Sequence, residues 1–379
     1  MSPGRYFPDD HPALREALDC YLRSLGERLG RQFFSGKVAA LLLAGGYGRG
    51  EGGVFLENGT ARLYNDIEFY LVLNGSRSVA EAARRWCSEE CSRGEEETGI
   101  EVEFKVLSLA ALQRAEPSMF YYDLLSANGC IFGDALLADR LPSALREGGR
   151  LPAHEATRLL FNRGTGLLFA REALEQNSDR VRNGFVERNH AKARLAFADA
   201  VLALNGRYHF SCVERAGRLV EPLLKVPPNW PQLIAWHGEA VEFKFNPRHA
   251  NPSRALLLDR QVELVAAWDE VFLWLESLRL GEDFQDVATY ALYPGRLFPG
   301  SDPLRNILLH LRDRFHPGHQ LPLCAWNDYP RAALQRSLAL LLLPNPEARH
   351  GAGRLLGLPE GAVVDRVRAR YEECWRRYN

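Results

Sequence analysis

The chain of 379 residues has no apolar run long enough to cross a bilayer. A span needs roughly 18–20 such residues, and the longest runs, near Leu41–Leu43 and Leu338–Leu343, stop well short. The opening Met1-Ser2-Pro3-Gly4-Arg5 lacks the apolar stretch of a secretory leader. An excess of charge of one sign is also missing. The 47 Lys and Arg nearly balance the 48 Asp and Glu, leaving a formal net charge of −1. No global positive field draws in a nucleic-acid backbone, so small molecules or proteins are the expected partners. The seven cysteines are odd in number and scattered. Cys87 and Cys91 sit four apart, but no His or Cys flanks them to complete a zinc site. Reduced thiols, and with them a cytoplasmic setting, are the expectation. No internal repeat or low-complexity tract appears.

What is present is ordinary globular composition: 46% hydrophobic and 25% charged residues. The length suits two domains, or one core with a large appendage. Leu14, Leu18, Tyr21, Leu22, Leu25 and Leu29 recur at helical spacing and predict an amphipathic helix over 11–34. Lys37–Leu43 predicts a buried strand stopped by Gly45-Gly46. Asn58-Gly59, flanked by Val54–Leu56 and Ala61–Leu63, predicts a hairpin. Asp66–Leu73 and Ile100–Leu107 alternate as strands. A charged helix is expected over 79–93, with Glu95–Glu97 in a solvated loop. Beyond about residue 135 the pattern changes. Asp139–Leu151 is a polar connection, and helices are expected over 155–175, 188–206, 211–221, 260–280, 303–315, 331–343 and 363–377. Pro and Gly clusters at 226–231, 244–253, 294–303 and 316–322 separate them. The expected fold is α+β: a small mixed β-sheet domain over 1–140, then an all-helical domain over 150–379, subdivided near 245–255.

Three segments carry the chemistry. In the first, an apolar strand runs into Ala44-Gly45-Gly46-Tyr47-Gly48-Arg49-Gly50. Glycines at a strand end let the backbone approach a phosphate, because no Cβ intervenes. The Gly-Lys-Ser/Thr ending of a Walker A loop is missing, and no second parallel β-unit supports a dinucleotide fingerprint. In the second, Asp66-Ile67-Glu68 puts two carboxylates on one face of a strand. Like charges there are tolerated where solvent or a divalent cation neutralises them. In the third, Glu101, Glu103 and Lys105 share a face between Ile100, Val102, Phe104 and Val106. Two such strands side by side can hold three carboxylates around a pair of Mg²⁺ ions. A wet, charge-paired sheet face accounts for the same residues, and Arg49 read alone is a surface charge.

Taken in order, these pieces resemble the nucleotidyltransferase superfamily that includes DNA polymerase β and the aminoglycoside nucleotidyltransferases. The shared pattern is an apolar strand, Gly-Gly or Gly-Ser, a turn, Asp-x-Asp/Glu in a strand, and a third acid between apolar residues. Here it reads Leu43-Ala44-Gly45-Gly46-Tyr47-Gly48-Arg49, then Tyr64-Asn65-Asp66-Ile67-Glu68, then Val102-Glu103-Phe104. The kanamycin-modifying members look closest in style. Asn189-His190-Ala191-Lys192, Asp199 and Gly206-Arg207-Tyr208, with Arg158–Leu168 as a weaker echo, are similar to the helical half of uncharacterised bacterial members.

The resemblance implies transfer of a nucleoside monophosphate, AMP from ATP or another NTP, to an acceptor hydroxyl. It assigns Asp66, Glu68 and Glu103, with Glu101 as the alternative third ligand, to two Mg²⁺ ions. It assigns Gly45, Gly46, Tyr47, Gly48, Arg49 and Lys192 to the nucleotide, and Asp199 to the base. This chain departs from the pattern in three places. Gly46 replaces the usual serine, a hairpin lengthens the turn-to-acid segment, and the kanamycin-type base glutamate falls at Ala203. Asp199, one helical turn earlier, is the nearest substitute. The acceptor stays open between a small molecule and a protein, as in an AMPylating enzyme or a toxin–antitoxin component. A nucleotide sensor without catalysis is the third alternative. Trp230, Trp236, Trp268, Trp274 and Trp326 line an acceptor pocket or, more simply, fill the core. His316-Pro317-Gly318-His319 lacks a third metal ligand.

Overall fold

A computed structural model describes residues 6–57, 59–176, 180–247, 252–314 and 326–378. The opening Met1–Arg5, Asn58 of the hairpin turn and His316-Pro317-Gly318-His319 lie outside them. No helix among the described residues is long and apolar enough to cross a membrane.

The chain divides into two compact units. The first comprises Met1–Glu155, Leu202–Leu224 and Ile234–Ala250, and the second Ala156–Val201, Lys225–Leu233 and Asn251–Asn379. In chain order the first unit opens with α1 (Pro12–Gly30), β1 (Val38–Leu43), the single turn α2 (Gly45–Gly48), and the hairpin β2 (Val54–Glu57) and β3 (Thr60–Leu63). Then come β4 (Ile67–Leu73), α3 (Arg77–Thr98), β5 (Val102–Ser108), the short helices α4 (Leu109–Leu112) and α5 (Met119–Ser126), and β6 (Gly129–Gly133). Short 3₁₀ turns fill 137–150.

The main sheet has four strands in the order β5-β4-β1-β6. β4 runs parallel to β5, whereas β1 is antiparallel to both β4 and β6, so the sheet is mixed. The alternation predicted for these strands sorts their side chains between two cores. Leu41, Leu43, Phe69, Leu71 and Leu73 face α1 and α3, meeting Leu18, Leu22, Leu25, Leu29, Ala83 and Trp86. Ala40, Leu42, Tyr70 and Val72 face the other way, against Leu112, Leu124, Leu125, Leu141 and Leu145. With both faces covered, strand register is tightly specified, since a one-residue slip would exchange the two cores.

Two expectations need correction. Glu95–Glu97 is the last turn of α3, not a loop. The helix runs on to Thr98 and stops at Gly99, whose φ of 74° provides a left-handed cap. Asp66 immediately precedes β4 instead of lying inside it.

The second unit is helical. Its chain passes through α6 (Ala153–Glu175), α7 (Arg180–Leu204), α8 (Cys212–Leu219), α9 (Trp230–Phe245) and α10 (Arg254–Leu280), although α8 and parts of α6, α7 and α9 belong to the first unit. It closes with α11 (Val287–Leu292), α12 (Pro303–Arg314), α13 (Arg331–Leu342), α14 (Pro346–Leu355) and α15 (Val364–Tyr378). α13 is its most enclosed helix, with Leu334, Leu338 and Leu341 buried. Trp268 is fully buried, donates from its indole nitrogen to the Leu160 carbonyl at 2.7 Å and stacks on Phe272. That tryptophan is core.

Candidate functional site

Within the first unit the sheet register brings the acidic segments together. β4 and β5 are parallel with Glu68 opposite Glu103 and Tyr70 opposite Lys105. Adjacent positions in register point to one face. Glu68, Glu103, Tyr70 and Lys105 therefore form one patch at the start of the two strands. Asp66 and Glu101 each stand one residue before their strands, and the Ile67 N–H donates to the Glu101 carbonyl at 2.9 Å.

The glycine turn closes directly over this patch. Gly45 has φ of 61°, a conformation that side-chain-bearing residues rarely adopt. A Cβ placed there would lie 2.5 Å from Glu68 Oε1. Glycine is thus required twice at this position, by its backbone and by the carboxylate it accommodates. Gly48 meets a similar limit, because a Cβ there would lie 2.3 Å from the Leu43 carbonyl oxygen. The Gly48 N–H is spent on the Ala44 carbonyl at 2.9 Å. The N–H groups of Gly45, Gly46 and Tyr47 belong to the first helical turn, which has no intrahelical acceptors for them.

The Tyr47 side chain is 1% exposed and braces the segment before Asp66. Its hydroxyl accepts from the backbone N–H groups of Tyr64 (3.1 Å) and Asn65 (3.3 Å). Asn65 Oδ1 accepts in turn from the Gly53 N–H at 2.7 Å. The hairpin is inserted between these anchors, so Asp66 keeps its place despite the longer connection. Tyr47 acts here by positioning.

The electrostatics of the patch are unfavourable as it stands. Burial, and next the negative charge of Asp66, raise the Glu68 carboxyl above the usual carboxylate range. Arg49, Lys105 and the Tyr70 hydroxyl, 3.2 Å from Glu68 Oε2, oppose this only in part. Glu103 is held by Lys105 at 3.3 Å.

A second, buried cluster stands next to the turn, and sequence reasoning did not single out its acids. Glu51 is 5% exposed. It accepts from Lys244 Nζ at 2.6 Å and from the Cys212 N–H at 2.8 Å. Burial works against its charge, yet Lys244, the Ser211 hydroxyl and Arg49 lower its pKa to about 2. Arg49 lies between Glu51 (3.9 Å) and Asp123 (3.7 Å), and Asp123 also accepts from the Tyr208 hydroxyl at 3.2 Å. Burial opposes the Arg49 charge, but Asp123 and Glu51 outweigh it and raise its pKa. These partners are scattered between residues 51 and 244, so no local spacing could reveal them. The one sequence signal was Tyr208, within Gly206-Arg207-Tyr208.

Lys192 and Asp199 are not in this unit. Both lie on the stretch of α7 that belongs to the second unit, seven residues apart and so on one helical face. Lys192 is exposed, whereas Asp199 is 5% exposed.

The donor set suits a divalent cation in part. Asp66 and Glu68 present adjacent carboxylates whose repulsion a cation would relieve. Glu103 is next in register but engaged with Lys105. Among the described residues no group of three or more His, Cys, Asp or Glu side chains is gathered in a metal-holding arrangement. Comparison of the chain with profiles of known families, with characterised proteins and with solved structures finds no match.

Proposed function

We propose that the chain is a metal-dependent nucleotidyltransferase that moves a nucleoside monophosphate, AMP from ATP, to a hydroxyl of a small molecule. One observation carries this reading. Gly45 is held at positive φ directly over the Glu68 carboxylate, so a glycine turn and a strained acid pair occupy one spot. A sheet face that only needed to be wet would have no reason to repel Glu68 with Asp66 under a glycine that tolerates no Cβ.

In this reading the N–H groups of Gly45, Gly46 and Tyr47 and the Arg49 guanidinium bind the triphosphate. Asp66 and Glu68 would hold a Mg²⁺ ion, and Glu103 would join them on leaving Lys105, supplying a second site. The metal would supply neutralisation of phosphate charge and of the departing pyrophosphate. The acceptor oxygen forms a bond to the α-phosphorus while the bond from that phosphorus to the bridging oxygen breaks. The hydroxyl proton passes to water or to a carboxylate at the site.

The test is incubation of the purified protein with α-labelled ATP, Mg²⁺ and the small-molecule fraction of a lysate, beside the Asp66→Asn variant. A labelled small product that the variant does not form is the expected result. A labelled protein band would move the reading to protein AMPylation. No labelled product of either kind, together with ATP binding that Mg²⁺ does not strengthen in calorimetry, would overturn it.

A further inference from the structure

The glycine-rich segment continues past Arg49 as Gly50-Glu51-Gly52-Gly53, and the proposed transfer uses none of these residues. They are nevertheless closely built in. The Glu51 N–H donates to the Gly46 carbonyl at 2.8 Å, so the backbone of Glu51 closes the glycine turn. A Cβ at Gly52 would run into the Tyr47 ring, and one at Gly53 would lie 2.6 Å from the Lys244 carbonyl oxygen. The chain can therefore pass between Tyr47 and the last turn of α9.

The Glu51 side chain ties this segment to two helices of the same unit. Lys244 Nζ on α9 donates to it at 2.6 Å, and so does the Cys212 N–H, the first of α8, at 2.8 Å. A helix N-terminus favours a carboxylate there. Lys244 Nζ also meets Cys212 Sγ at 3.3 Å, which holds the ammonium from a second side. Such a buried pair is weak as a source of stability, because apolar side chains could fill the same space without the cost of desolvation. What this pair sets is the place of Arg49. That guanidinium stands 3.9 Å from Glu51 and 3.7 Å from Asp123, beyond hydrogen-bond reach of both, and its Nε has no hydrogen-bond partner among the described residues. The two carboxylates hold it by charge without taking up its donors. Planar N–H donors kept free in this way suit phosphate oxygens.

We infer that Glu51 is a positioning residue for phosphate binding: locked to α8 and α9, it holds the glycine turn at Gly46 and aims Arg49 at the triphosphate. The inference rests on the nucleotidyltransferase reading, since only there does Arg49 meet a phosphate. It gives α8 and the end of α9 a task in the first unit, to which they belong although they lie far along the chain.

The test is calorimetric titration of the full chain with inorganic tripolyphosphate and Mg²⁺. Glu51→Gln alone would leave Lys244 without its counter-charge, and that cation would itself attract the anion. Glu51→Gln combined with Lys244→Met avoids this, because net charge is unchanged and a buried pair replaced whole is often near neutral for folding. This double variant is expected to bind tripolyphosphate about tenfold more weakly than the parent, the scale of one misaligned charge-assisted contact. Lys244→Arg, which keeps a cation on Glu51, should stay within about twofold of the parent. Urea unfolding checks that each variant is folded. If the double variant does not fold, Glu51→Asp takes its place: it keeps the charge, draws the carboxylate back by one methylene and should cost about threefold. A pair that serves the fold alone would lower stability and leave the affinity of the folded protein where it was, and that result overturns the inference. A loss in Lys244→Arg as large as in the double variant overturns it too, because charge pairing would then not be what matters. A parent that binds neither ATP nor tripolyphosphate with Mg²⁺ overturns the nucleotidyltransferase reading, and the positioning role with it.

Discussion

In the second unit Glu276 is fully buried, and every oxygen it carries is satisfied. Thr157 donates to Oε1 at 2.6 Å, Arg279 grips both oxygens at 2.5–2.7 Å, and Tyr290 donates to Oε2 at 3.0 Å. In the first unit Glu68 is partly buried, and the neighbour that most perturbs it is another acid. Glu51, also in the first unit, is treated like Glu276, with Lys244 at 2.6 Å and a backbone N–H at 2.8 Å. The contrast is therefore not between units but between carboxylates. Where a buried acid serves the fold, the chain supplies a cation and donors. At Glu68 the chain's own cations offset the charge only in part, which is what the proposed metal site would use.

The sharpest way to break this distinction is at the acid pair. Asp66→Asn and Glu68→Gln are expected to lower transfer by roughly ten-thousandfold, about 5.5 kcal/mol. Removing one of two like charges should leave unfolding free energy unchanged or slightly raised. Glu103→Gln, in register with Glu68, should cost about a thousandfold, and Glu101→Gln, at an exposed position before β5, about tenfold. Steady-state rates at saturating Mg²⁺ and ATP, with urea unfolding of each variant, decide it. An active, destabilised Asp66→Asn protein would make the pair structural after all.

Glu276→Ala should do the reverse. It leaves Arg279 buried without its counter-charge and is expected to cost about 3–5 kcal/mol of stability in urea unfolding. If that variant unfolds like the parent, full satisfaction is no guide to a structural role.

Two further carboxyls test the contrast through pH. Glu51 has its pKa lowered to about 2 from an ordinary 4.5. Its contribution, about 3 kcal/mol, is present above pH 4.5 and lost as pH falls toward 2. Asp269 in the second unit is raised to about 7 from 3.8 by burial alone, and its Oδ1 has no hydrogen-bond partner among the described residues. Its sign is opposite: the folded state holds the proton, so stability falls as pH rises from about 4 to 7. Glu51→Gln should remove the acid limb, and Asp269→Asn should flatten the slope between pH 4 and 7, both read from unfolding curves across pH.

The parts of this picture that local pattern controls were legible in the sequence. A continuous apolar run stopped by glycines pointed to β1, alternation pointed to β4 and β5, and the Asp66-Ile67-Glu68 spacing marked the acid pair. The strand β6 was missed because Gly129–Gly133 is short and holds two glycines among its five residues. Glu95–Glu97 read as loop because charge was weighed above helix propensity, which is high for glutamate. The partnerships of Glu51 and Asp123 were illegible for a different reason. Lys244 and Tyr208 lie 193 and 85 residues away in the chain, and only tertiary packing brings them near.

The smallest effect concerns Lys105. Its ammonium stands 3.3 Å from Glu103, and both side chains are well exposed, at 55% and 41%. Water screens such a pair, so it is worth only ~0.2–1 kcal/mol. Lys105 also lowers the Glu68 pKa, so it is a modest internal counter-ion for the patch. If the acids await an external cation, Lys105 competes with it. Lys105→Met should then tighten Mg²⁺ binding by up to about fivefold, the equivalent of that small pairing energy. It should also raise the Glu68 pKa further in the metal-free protein. If instead the patch is a self-contained, charge-paired sheet face, the same substitution removes the cation that pairs with Glu103. It should then destabilise the fold and leave Mg²⁺ affinity where it was. Titration of Mg²⁺ into the parent and Lys105→Met proteins at low ionic strength, where screening is weakest, separates the two outcomes.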